Sequence, residues 1–147
     1  MRASPILLLL FALALSNCGN GDGRTTDTLS SEFDSVAEKQ AFLERYVEFR
    51  HRYIELDYRV AFLDGSSGRL PGPTEWNLRI FATIPPEEVD LWVDGLNRSA
   101  NTPALGWISE IPNALSDLNE FDWYEGSRRV VGVDLKLGRV LYWNLAL

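Results

Sequence analysis

Few side chains in this sequence could act as nucleophile or base. The one histidine, His51, stands between Arg50 and Arg52. A histidine acts as a general base only with a nucleophile and an orienting acid beside it, and no motif places either group there. No serine occurs in a Gly-x-Ser-x-Gly elbow. We therefore interpret His51 as a solvated side chain at the end of a helix, and we predict no catalytic residues.

Acidic residues are more numerous, and a pair of carboxylates can hydrolyse a glycosidic bond. Two pairs lie close in sequence: Glu55 with Asp57, and Asp122 with Glu125. Residues i and i+2 of a strand share a face, so Glu55 and Asp57 are near neighbours. Acids that alternate with apolar residues are also typical of a solvated strand face. A small carboxylate-based hydrolase is therefore kept as an alternative, behind a protein that does no catalysis.

Metal and cofactor sites are not predicted. One histidine and one cysteine cannot supply a zinc shell, and no Asp-x-Asp-x-Asp-Gly calcium loop occurs. The single cysteine also rules out an intramolecular disulfide. Stability must then come from packing.

That cysteine, Cys18, follows a short positive start at Arg2, an apolar run over residues 6–15, and Ser16-Asn17. The apolar run is too short to span a bilayer, which needs about 20 residues. A signal of this kind followed at once by cysteine resembles the bacterial lipobox, although Asn17 stands where that family usually carries Gly, Ala or Ser. The resemblance implies cleavage before Cys18 and acylation of its thiol and new amino group. An ordinary secretory signal is the alternative.

The lipobox resemblance implies a cellular location and a domain organisation. It implies a protein anchored by lipid in the bacterial envelope, and Gly19 in place of Asp favours the outer membrane, facing the periplasm. We predict a signal peptide over residues 1–17, a flexible Gly-rich tether over 18–31 and a single domain over 32–147. The formal net charge of −7 opposes nucleic acid and favours a basic partner.

Hydrophobic periodicity predicts an α+β fold, in which an antiparallel sheet of about five strands carries two helices packed on one face. Ser35 and Glu38 form a capping-box pattern at the start of the first helix. The hydrophobic pattern of residues 97–120 is less clear. We expect a short strand around Leu105, Trp107 and Ile108, and a loop or helical turn over 111–118. The predicted elements are a helix over 36–50, strands over 54–63 and 76–84, a helix that begins at Pro85-Pro86, and a three-stranded meander over 121–125, 128–136 and 139–147.

Two features are candidates for an interface: the turn-rich loop over residues 64–74, and an exposed aromatic patch on the sheet. A covering layer formed by residues 97–120 is the alternative for the aromatic patch. The candidate interface residues are Asp64, Arg69, Leu70, Phe81, Trp123, Tyr124 and Tyr142.

Taken together, these patterns favour a lipid-anchored, non-catalytic module that binds another periplasmic or envelope protein. Small acidic lipoproteins without catalytic motifs resemble immunity or inhibitor proteins in architecture, and such a protein would act on a basic toxin or lytic enzyme through complementary charge. A component or assembly factor of an envelope complex is the second possibility. No cofactor is expected, and the only expected membrane contact is through the lipid anchor.

Overall fold

The computed structural model describes residues 26–47, 52–65, 74–115 and 117–146. These residues form a mixed fold around one seven-stranded antiparallel sheet. The strands are β1 (Thr26–Leu29), β2 (Glu55–Leu63), β3 (Glu75–Thr83), β4 (Asn97–Arg98), β5 (Asp122–Glu125), β6 (Arg129–Asp134) and β7 (Arg139–Ala146). Their order across the sheet is β1-β2-β3-β7-β6-β5-β4.

The long strands lie at the centre of the sheet and the short ones at its edges. After β3 the chain passes to the far edge and returns strand by strand, so that β7 pairs with β3. The predicted antiparallel meander is confirmed as β5, β6 and β7. The predicted count of five strands is wrong, because the short strands β1 and β4 extend the two edges. Short edge strands offer little unpaired backbone to other chains.

The first face of the sheet carries the larger core. Tyr58, Ile80 and Tyr142 are neighbours across β2, β3 and β7 on this face, and all three are buried. Leu43 and Trp92, from the two α-helices, belong to the same cluster. Strict alternation along β2 and β3 places these apolar residues on one side.

The first helix, α1 (Val36–Leu43), begins as predicted. The Ser35 hydroxyl accepts from the Glu38 backbone N–H while the Glu38 carboxylate accepts from the Ser35 backbone N–H, so the capping box is confirmed. The predicted continuation beyond Leu43 is wrong over residues 44–47, where the chain turns and Tyr46 packs on Phe62 of β2, with ring centroids 5.4 Å apart. Residues 48–50 of that predicted helix, and His51, lie outside the described residues.

The second helix is shorter than predicted. A 3₁₀ turn over Pro86–Glu88 leads into α2 (Asp90–Val93), which is one turn long. Gly95 follows with φ of +71°, a conformation that ends a helix and that glycine adopts without strain.

The second face of the sheet is also partly covered. Phe81, Trp123 and Leu141 lie on this face and form a second core cluster with Trp107 and Ile108. Residues 105–115, here called the covering segment, begin with a 3₁₀ helix over Gly106–Glu110. The prediction of a short strand around Trp107 is therefore wrong. The side chains of Trp107 and Ile108 pack onto the face of the sheet, and their backbone forms a 3₁₀ helix.

The predicted tether over residues 18–31 is wrong for residues 26–31. Thr26–Leu29 pair with β2 along the edge of the sheet, and Ser30 is buried with its hydroxyl donating to Asp57 at 2.8 Å. These residues look like a linker because they are polar, yet an edge strand satisfies its backbone by pairing and needs little apolar surface. The rest of the tether and the signal peptide lie outside the described residues.

Candidate functional site

The predicted exposed aromatic patch is not present. Phe81 and Trp123 lie on the second face beneath the covering segment, and Tyr142 lies on the first face, where it packs edge-on against Trp92 with ring centroids 5.7 Å apart. Phe81, Trp123 and Tyr142 are each about 5% exposed, and Tyr124 is half-buried. The alternative of a covering layer is correct for Phe81 and Trp123, which pack with Trp107, whereas Tyr142 is covered on the other face by Trp92 of α2.

The predicted loop interface falls mostly outside the described residues. Asp64 is half-buried at the end of β2, and it is the one member of this loop's candidates that is described. Cys18, Arg69 and Leu70 lie outside the described residues, so the lipidation site and the loop interface stay predictions.

The carboxylates of the first pair, Glu55 and Asp57, lie on one face of β2 and make different contacts. Asp57 is 8% exposed and accepts hydrogen bonds from Ser30 Oγ, Lys39 Nζ at 2.7 Å and Asn113 Nδ2 at 3.3 Å. It joins the start of the domain, α1 and the covering segment. Its neighbour on the strand, Glu55, is exposed and accepts from the Thr83 hydroxyl at 2.9 Å.

The second carboxylate pair is separated by the sheet itself. Asp122 and Glu125 are three residues apart on β5, so their side chains leave opposite faces. The Asp122 carboxylate pairs with Arg98 of β4, an exposed ion pair at the edge of the sheet. Glu125 is exposed on the other side. No shared cleft holds this pair.

The covering segment is fixed to the sheet by an ionic network. Arg59 and Arg79 are directly opposite each other on β2 and β3, and the Glu110 carboxylate forms ion pairs with both, accepting a hydrogen bond from Arg59 at 2.6 Å and lying 3.1 Å from Arg79 Nη1. Asp27 binds Arg59 from the other side through two hydrogen bonds of 2.9 Å, which lower the pKa of its carboxyl. Burial lowers the pKa of the Arg79 guanidinium, whose Nε has no hydrogen-bond partner among the described residues.

A charged cleft of about 550 Å³ opens where the covering segment, α1 and the starts of β2 and β7 meet. The apolar residues that line it are Val36, Leu56, Phe81 and Leu115. The polar residues that line it are Lys39, Glu55, Asp57, Asn113 and Arg139.

The same end of the sheet also displays the most exposed apolar side chains. Ile54 is 60% exposed just before β2, and Leu135 and Leu137 are 50% and 52% exposed in the turn between β6 and β7. Backbone hydrogen bonds join these segments to β3, from Ile54 to Thr83 and from Ile84 to Gly138. Exposed apolar residues gathered on neighbouring loops mark an interaction surface.

The chain that leaves this end of β3 is strongly acidic. Residues 85–97 contain four acids and no lysine or arginine. Leu91 of α2 stands among them and is 63% exposed, the highest value of any large apolar residue in the described part of the chain. Arg52 binds Glu88 at 2.8 Å and Glu87 at 3.3 Å, whereas Asp90 and Asp94 are exposed. An exposed leucine therefore stands within a segment that carries four acids.

Sequence reasoning missed this surface, here called the acidic surface, although a signal was present. Val89, Trp92, Val93 and Leu96 form the helical stripe that packs, and Leu91 lies outside that stripe. An apolar residue off the stripe of a short acidic helix is expected to face solvent. Leu135 and Leu137 likewise flank Lys136 in the turn between β6 and β7. The acidic surface consists of Ile54, residues 86–94, Leu135 and Leu137.

Comparison with protein-family models, with curated proteins and with solved structures finds no match. Within the described ranges, no helix has the length and apolar character of a membrane span, and no group of three or more metal-ligating side chains converges. The candidate sites therefore have to be argued from this chain alone.

Proposed function

We propose that this protein is a lipid-anchored lipoprotein of the bacterial envelope, facing the periplasm, that binds another protein and inhibits it. In this proposal Cys18 carries the lipid, the folded domain carries the acidic surface, and the partner is a basic toxin or lytic enzyme. The protein inhibits its partner by binding to it and catalyses no reaction itself.

The observation that carries this proposal is the exposure of Leu91 within an acidic segment. Single exposed apolar residues are normal on protein surfaces, so Leu91 supports the proposal together with the other exposed apolar residues Ile54, Leu135 and Leu137, and apolar centres with polar rims are typical of protein interfaces. The surrounding carboxylates favour a partner of positive charge and speed its association, because opposite surface potentials steer the encounter.

Neighbouring features extend the surface beyond one residue. Ile54 and the turn leucines, Leu135 and Leu137, supply further apolar area at the same end of the sheet. Arg52 neutralises only part of the acidic segment, since it pairs with Glu87 and Glu88 and not with Asp90 or Asp94. A basic partner would therefore meet uncompensated negative charge around an apolar centre.

Affinity capture from detergent-solubilised membranes tests the proposal when it is run with matched variants. The full-length protein should capture one basic enzyme in a one-to-one complex, and the enzyme should lose activity when the two are mixed. Leu91→Ser should weaken capture by about tenfold or more, because central apolar anchors carry most of the affinity of an interface.

The matched control is Leu63→Ser, which removes a leucine of 48% exposure at the opposite end of the sheet. It should leave capture unchanged. Equal loss in both variants, or an enzyme that stays active when bound, would contradict the inhibitor proposal. A large multiprotein complex would instead favour the envelope-assembly role.

The anchor has its own test. Replacing Cys18 by serine should release the protein from the membrane fraction and abolish incorporation of labelled palmitate, since the lipobox scheme acylates the Cys18 thiol and the amino group that cleavage before Cys18 exposes, and serine offers no thiol. A serine variant that remains in the membrane fraction would contradict the lipid anchor while leaving the acidic surface untouched.

A further inference from the structure

The charged cleft is a cavity that the proposed inhibitor role does not require. Its volume of about 550 Å³ lies within the range of small-molecule sites. Four apolar residues line it beside five polar ones, which come from α1, β2, β7 and the covering segment. A ligand that fits this lining carries both apolar and charged groups.

The charges that line the cleft are of both signs. Lys39 Nζ binds the Asp57 carboxylate at 2.7 Å, so these two neutralise each other. Arg139 is neutralised from outside the cleft, because its Nε and Nη2 both donate to Asp134. Glu55 accepts only the neutral Thr83 hydroxyl, which leaves its negative charge uncompensated within the described part of the molecule.

Both cations nevertheless keep donors for a ligand. An ammonium group has three N–H donors, and Lys39 uses one of them on Asp57. A guanidinium has five, and Arg139 directs Nε and Nη2 to Asp134, so its Nη1 group is available among the described contacts. A ligand carboxylate placed between Lys39 and Arg139 would receive charge-assisted hydrogen bonds from both.

Two acceptors line the same cavity. Glu55 has its second carboxylate oxygen open, and Asn113 uses its amide nitrogen on Asp57, which leaves its carbonyl oxygen as an acceptor. A ligand ammonium would be held by Glu55 and Asn113. An anion alone would meet the uncompensated Glu55, and a cation alone would leave the remaining N–H donors of Lys39 and Arg139 without an acceptor from the ligand.

We propose that the charged cleft binds a small zwitterion with an apolar side chain, such as a free amino acid or a short peptide with free ends. The carboxylate lies at Lys39 and Arg139, the amine lies at Glu55 and Asn113, and the apolar side chain lies against the half-buried residues Val36 and Leu115. This site is independent of the acidic surface and of the inhibitor role.

Calorimetric titration of the full-length protein in detergent with leucyl-leucine tests the proposal. The dipeptide should bind saturably with a Kd of about 1 mM or tighter. Acetylating its amine, or converting its carboxylate to an amide, should each weaken binding by about tenfold or more, because each change removes a charged hydrogen-bonding end.

The variant Glu55→Gln links the effect to the cleft. Glutamine keeps the shape and still accepts from Thr83, so the exposed position should fold normally. This variant should bind free leucyl-leucine about tenfold more weakly, yet bind the acetylated dipeptide as the wild type does. Glu125→Gln, an exposed glutamate on β5 outside the cleft, is the matched control and should change neither affinity.

Absence of saturable binding would overturn the proposal, and so would equal affinities for the free and capped dipeptides. An effect of Glu55→Gln that is identical for the free and acetylated dipeptides would overturn it as well, since it would show that Glu55 does not contact the amine. None of these outcomes depends on whether the acidic surface binds a protein.

Discussion

The indole ring of Trp123 lies against the backbone of Gly132, its cross-strand neighbour on β6. A β carbon placed on Gly132 would come within 2.6 Å of the ring. The missing side chain lets the large ring of Trp123 lie flat over the strand, and the covering segment then closes over both. Glycine within a strand usually marks such a close approach.

Gly132→Ala should therefore destabilise the protein by about 1–3 kcal/mol, the usual cost of overpacking a core. The Trp123 ring must move, and with it the packing of the covering segment. Chemical denaturation measures the free energy of unfolding. Gly106→Ala is the control, since a β carbon there would meet nothing within 4 Å, and its stability should stay close to that of the wild type. Equal stability of the two variants would contradict the close contact.

Glu110→Gln should loosen the covering segment. It removes the negative charge that bridges Arg59 and Arg79, which face each other directly across two strands. Arg79 is only 12% exposed, so its charge would be left with little compensation, at a cost of about 2–4 kcal/mol. Hydrogen exchange of the amides of residues 106–111 should accelerate more than that of β3. Glu120→Gln, an exposed change near the same segment, should have no such effect.

Much of the fold could be predicted because the strands of the sheet alternate. Along β2 and β3 every second residue is apolar on the first face, and the turns around Gly126 and Gly138 separate the strands of the meander. The edge strands could not be predicted in this way. Thr26–Leu29 and Asn97–Arg98 join the sheet through backbone pairing, which needs no apolar pattern.

The site was harder to predict than the fold, because burial depends on which segment covers a face. The pattern places Phe81 and Trp123 on one face and Tyr142 on the other, but it cannot show that residues 105–115 fold back over the first two. The charged cleft could not be predicted for the same reason. Lys39, Asp57 and Arg139 are far apart in sequence, and only the meeting of three elements brings them to one cavity.

Ser35→Ala should destabilise α1 by about 1 kcal/mol. The Ser35 hydroxyl accepts from the Glu38 backbone N–H at 3.2 Å, and alanine leaves that donor without its partner at the helix start. Hydrogen exchange should show the loss in the first turn of α1, and the unfolding midpoint should fall. Ser109→Ala is the control, because its hydroxyl donates to a backbone carbonyl in an exposed turn rather than capping a helix. A larger loss in Ser109→Ala would contradict the role of the cap.

Asp134 should make the free energy of unfolding decrease at low pH. Its carboxylate is nearly buried and binds Arg139 and the backbone N–H groups of Lys136 and Leu137. Burial alone would raise the pKa of Asp134, but these donors outweigh it and hold the pKa below its ordinary value. The unfolded state therefore binds a proton more readily than the folded state. The stabilisation is complete above about pH 4 and is lost as the pH falls through the lowered folded pKa.

Asp134→Asn should remove this acid dependence together with about 1–3 kcal/mol of stability at pH 7, because an amide cannot replace the charged hydrogen bonds. Unfolding free energies measured from pH 7 down to about pH 2 should give a flatter curve for the variant than for the wild type, with the two converging in acid. Glu125→Gln, exposed and opposite Val130 at the end of β6 away from Asp134, should keep the wild-type slope. A variant that loses stability at neutral pH but keeps the full wild-type slope would show that other carboxylates, and not Asp134, cause the loss in acid.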